Sequence, residues 1–88
     1  MIHVMNFKGE IVDFISQSDN AVIQAVHNRN INERMETFDF TILSERTTHM
    51  HERNRIIIQD KNGQYREFII DRISADIDGY TEVETVAS

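Results

Sequence analysis

The 88 residues include 15 Asp and Glu against 9 Lys and Arg, a formal net charge of −6, with no Cys and no Pro. This length fits one small domain that buries about 60–65% of its unfolded surface. Without thiols neither a disulfide framework nor a thiolate metal site is available. The basic residues are scattered and the balance is acidic, which speaks against specific or nonspecific nucleic-acid binding. No apolar stretch approaches a membrane span, no signal peptide is visible at Met1, and a soluble, cytoplasm-compatible domain is expected.

In chain order the pattern is strand after strand. Residues 2–6 and 10–16 flank Phe7-Lys8-Gly9 as a first hairpin. A polar turn follows at 17–20. Residues 21–31 admit a helix, but Val22, Val26, His27, Asn28 and Asn30 are poor helix formers and "NRN" leaves no apolar face, so a strand is predicted. "TFDFTIL" alternates cleanly, with Phe38, Phe40 and Ile42 on one side and Thr37, Asp39 and Thr41 on the other. Residues 44–53 are polar and aperiodic, a long connection with room for one helical turn.

The stretch "IIIQDKNGQYREFII", 56–70, reads as a second hairpin. Asn62-Gly63 suits a two-residue type I′ loop, whereas Asp60-Lys61-Asn62-Gly63 suits a type I turn closed by a glycine bulge. The two differ by one residue in register and therefore in which side chains share a face. The bulged register, preferred here, gathers Ile56, Ile58, Phe68 and Ile70 on one face. It leaves Ile57 and Ile69 on the other, among Arg55, Gln59, Tyr65, Glu67 and Asp71. Apolar residues on both faces require a second cover, and the polar 44–53 segment is a poor lid. A turn at 76–79 leads to a last strand over 81–87. The fold class expected is mainly β: a small antiparallel barrel or sandwich of six to seven strands, with at most one short helix. Phe38, Phe40, Ile42, Ile56, Ile58, Phe68 and Ile70 form its predicted core.

Candidate chemistry is thin. His49 and His51 in "HMH" share one side of an extended segment. A metal would need a third ligand, such as Glu45 or Glu52, and the spacing matches no common zinc motif. His3 and His27 fall in predicted strands as wall residues. Asp71, Asp76 and Asp78 lack the glycine and final glutamate of a calcium loop. No Gly-x-Ser-x-Gly or glycine-rich phosphate loop is present. Tyr65 and Tyr80 are the candidates for stacking on a sugar. Neither an enzyme nor a cofactor is expected, and a small carbohydrate- or protein-binding β module is the alternative reading.

The series "GEIVDFI" (9–15), "AVHNRNINERMETFDFTI" (25–42), "ERNRIIIQDKNGQYREFIIDRI" (52–73) and "VETVA" (83–87) resembles the N-terminal segment of the phage tail endopeptidase, or tail-associated lysin, family of siphophages and prophages of Gram-positive bacteria. One departure lies at residues 32–35, where relatives often carry a glycine. The resemblance implies an N-terminal hub barrel domain over 1–88, cut from a longer tail protein or reduced to that domain. It implies a trimeric homo-oligomer whose barrels form a pseudo-sixfold ring that continues the tail tube, near the tape-measure protein, and docks to the distal tail protein. Peptidoglycan cleavage belongs to C-terminal regions of the family, and the implied location is the virion tail tip, with the host cytoplasm during assembly. On this reading Ile57, Ile69 and Tyr65 are interface candidates. Glu82 and Glu84, on one side of the last strand, are candidates to face the lumen, where carboxylates repel DNA phosphates.

Overall fold

In a computed structural model of the chain, residues 2–16, 19–30, 35–59 and 62–87 are described, Asn30 by its backbone alone. They form one antiparallel sheet of seven strands: β1 (Ile2–Met5), β2 (Ile11–Ile15), β3 (Val22–Asn30), β4 (Met35–Leu43), β5 (Arg55–Gln59), β6 (Tyr65–Ile73) and β7 (Tyr80–Ala87). A 3-10 turn, Ser44–Arg46, supplies the single helical turn for which residues 44–53 had room. The strands lie side by side in the order β2-β1-β5-β6-β7-β4-β3.

Because side chains alternate across a strand, one face of this sheet collects the buried core. Ile2 and Val4 of β1, Ile56 and Ile58 of β5, Phe68 and Ile70 of β6, Val83 of β7 and Phe38, Phe40 and Ile42 of β4 are buried there. All seven residues of the predicted core are among them. Ile15, Ala21 and Met50 complete the cluster. The Phe38 ring stands 5.5 Å from Phe40 and 5.9 Å from Phe68, centroid to centroid, inside the range of favourable aromatic pairs. Met50 comes from the long connection, which is pinned by the buried Asn54 amide donating to the His49 carbonyl at 2.9 Å.

The hairpin register follows the bulged alternative. Ile56 opposes Phe68, Ile58 opposes Arg66 and Gln59 opposes Tyr65, and Gly63 has φ +79°. A slip of one residue would have moved Phe68 out of the core. Asp60 and Lys61 of that turn, Gln17 and Ser18 of the 17–20 turn, and residues 32–34 of the loop at 32–35 lie outside the described residues. The last turn is a two-residue type I′ loop. Asp78 and Gly79 both have positive φ, and Ile77 and Tyr80 exchange both backbone hydrogen bonds.

The barrel expectation is corrected in one respect: the sheet curls around its core and does not close. Among the described residues its two free edges are β2 and β3, consecutive in the sequence yet not paired with each other. An opening of about 410 Å³ lies between them, floored by Ile2, Ile15, Ala21, Phe38 and Ile58. The physical reason lies in the inward positions of the edges. Asp13 on β2 opposes Val4, and Ala25, His27 and Arg29 on β3 oppose Phe40, Phe38 and Glu36. Zipping these edges together would gain little apolar burial and would desolvate charge.

Candidate interaction surface

The outer face of the sheet divides into an apolar half and an acidic half. In the apolar half, Ile57 of β5 lies between His3 of β1 and Glu67 of β6. Ile69 of β6 lies between Arg55 and Val86. Both isoleucines are half-buried by these neighbours. His3 continues the row to Phe14 of β2, with ring centroids 4.8 Å apart. Phe14 remains 42% exposed and Ile11, opposite Met5, 62% exposed. Among the described residues no element lies across this face, since every strand belongs to the one sheet and the 47–54 connection sends Met50 into the core. Arg55 and Glu67 cross the patch as a solvent-exposed pair at 3.0 Å, the kind of contact that contributes about 0–1 kcal/mol.

The sequence assigned Ile57, Ile69 and Tyr65 to a contact surface. The first two sit in this patch. Tyr65 is exposed on the same face at the start of β6. Phe14, Ile11 and His3 were missed as members, because the first hairpin's pairing with β5 carries no local signal; alternation in "IVDFI" was the one clue available.

In the acidic half, Glu82 and Glu84 project from β7 and are exposed. Asp39 joins them from β4, and the three carboxylates border a shallow groove with Gln24 and Val26 of β3. Among the described residues no Lys or Arg lines this groove, although Arg72 of β6 lies opposite Glu84 beside it, so three carboxylates face one neighbouring cation.

The remaining candidates do not converge. His49 and His51 are exposed, and among the described residues no group of three His, Asp or Glu is placed to hold a metal. Asp76 serves the last turn, accepting from the Ser44 hydroxyl at 2.8 Å and the Gly79 amide at 2.9 Å. Asp71 is exposed on β6, at the irregularity between Ile70 and Arg72. Tyr65 and Tyr80 begin strands at opposite ends of the sheet and share no stacking platform. His27 turns out to be tied down: it sits 2.8 Å from Glu36, edge-on to Phe38 and Phe68, while Arg66 approaches the other Glu36 oxygen at 3.5 Å. These groups cross the inner face from β3 to β6. No protein-family model, curated protein or solved structure matches the chain.

Proposed function

We propose that the chain is a structural, non-catalytic assembly domain of a phage tail tip: an N-terminal hub domain in the ring that continues the tail tube and docks to the distal tail protein. The observation that carries this reading is the uncovered apolar half of the outer face, Phe14 on His3 beside Ile57 and Ile69. The sequence resemblance supports it. Burying what remains exposed of the half-buried Ile57 and Ile69 against a neighbour contributes roughly 1–3 kcal/mol in gross transfer terms before association entropy is subtracted. The acidic half, with Glu82 and Glu84, turns toward the lumen, where fixed carboxylates keep passing DNA from sticking. No membrane, cofactor or metal enters this role.

The test combines co-purification with the distal tail protein and electron microscopy of the product. Rings should form with the parent chain. Ile57→Lys with Ile69→Lys should leave a folded domain that no longer assembles. Unchanged rings in the double variant, or a parent that neither self-associates nor binds the distal tail protein, would sink the reading.

A further inference from the structure

The two free edges of the sheet differ in how they are protected. β2 is five residues long, its pairing with β1 is broken by a bulge, and Asp13 on it is held beside Arg46. Short length, bulges and charge are the usual devices that keep an edge from pairing with another chain. β3 is nine residues long and has neither Pro, Lys nor a carboxylate along it; its one permanent charge, the inward Arg29, lies next to its last residue and leaves the stretch around Val26 uncharged but for His27. Its single irregularity lies at the start, between Val22 and Gln24. Ile23 is 55% and Val26 41% exposed. Half of its backbone donors and acceptors face away from β4, open to water or to another extended backbone, which is the template an edge strand offers.

The side chains of β3 say which backbone. Around Val26 the strand reads Gln24-Ala25-Val26-His27-Asn28. Turned through a two-fold axis at Val26, it sets Val26 against itself, Ala25 against His27, and each Gln24 against an Asn28. Two carboxamides are mutually complementary as donors and acceptors. The strand's one permanent cation, Arg29, meets Ile23 and never a second Arg29. An isologous contact needs this property, that residue i meets j while j meets i.

We infer that β3 is a self-pairing edge: two copies of the chain join β3 to β3 antiparallel about Val26, merging their sheets. This contact uses other residues than the apolar outer face and does not rest on the tail-tip reading.

The chain contains no cysteine, so a single introduced thiol reports the axis directly. Directly opposed antiparallel residues have Cα atoms about 4.5–5.5 Å apart, within disulfide range. Val26→Cys should therefore oxidise to a covalent dimer far faster than Ile77→Cys, an equally free thiol on an exposed turn away from the edge. Charge variants test the register by sedimentation equilibrium. Gln24→Lys with Asn28→Lys places like charges opposite one another and should weaken self-association at least about tenfold. Gln24→Lys with Asn28→Glu places opposite charges together and should retain it. Equal cross-linking at both cysteines, indifference to the charge pattern, or a parent chain that stays monomeric up to about 1 mM would overturn the inference. The Ile57→Lys, Ile69→Lys chain should still cross-link through Val26→Cys, which separates this contact from the outer-face one.

Discussion

The Thr85 hydroxyl donates to the Phe38 carbonyl at 2.6 Å, across the pair of strands β7 and β4 and inside the core. Thr85 is 1% exposed, and the hydrogen bond falls between the Thr37–Val86 and Phe40–Val83 pairs of the ladder. A side chain thus satisfies a backbone acceptor in the interior of the sheet. Thr85→Val keeps the shape and removes the donor, leaving that carbonyl short of a partner, at a cost of about 1–3 kcal/mol. Urea denaturation should show a lower midpoint with an unchanged slope, and Thr85→Ser should recover part of the loss. A Thr85→Val chain as stable as the parent would mean that water or the ladder serves Phe38 instead.

Phe40 is buried against Phe38 at the middle of β4. Phe40→Ala should cost about 3–5 kcal/mol, by lost transfer energy and the cavity left behind. For a domain of this size that is most of the stability available, so circular dichroism at room temperature should already show unfolded chain. Melting like the parent would place the core elsewhere.

Gly79 has φ +88°, and a Cβ built there meets nothing within 4 Å. Gly79→Ala is therefore a pure backbone test: the penalty is the left-handed conformation alone, about 1–2 kcal/mol. Gly79→Asn, which tolerates that region better, should lose less. If both variants lose equally, the turn has rearranged.

Glu82 and Glu84 share their groove with Asp39. Duplex DNA should not bind the parent chain measurably at physiological salt. Glu82→Lys with Glu84→Lys changes the local charge by four units and should produce salt-sensitive DNA retention in a filter assay. Retention by the parent would remove the acidic half from any conduit role.

Alternation made the core legible where one face is buried and the other wet. Phe38, Phe40 and Ile42 announced their side without help, and of the two registers the turn allowed, the one that gathers apolar side chains on one face is the one that sends Phe68 inward. Thr81 and Thr85 were not legible as core residues. Their polar side chains masked the inward face of β7, and their partners, the Ser44 hydroxyl and the Phe38 carbonyl, lie 37 and 47 positions away. The site was half legible: Ile57 and Ile69 broke the alternation and so drew notice. Phe14 belongs to the same patch only through β1 pairing with β5, and nothing local encodes that. That the sheet stays open was not legible for a related reason. Strand count and spacing suit a barrel or a sandwich equally, whereas Asp13 and His27 at the inward edge positions favour an open sheet.

The strand order also sets how the chain reaches this structure. Three local units, the β1–β2 hairpin, the β3–β4 hairpin and the β5–β6–β7 meander, are joined by two distant pairings alone, β1 with β5 and β4 with β7. Hairpins form in about 1–10 μs, and the slow event is closing the loops that bring the flanking hairpins onto the meander. The meander is thus the platform on which the sheet grows outward in both directions. In the monomer its amides, at the centre of β5 and β6, should exchange with solvent last, and those of the edge strands β2 and β3 first.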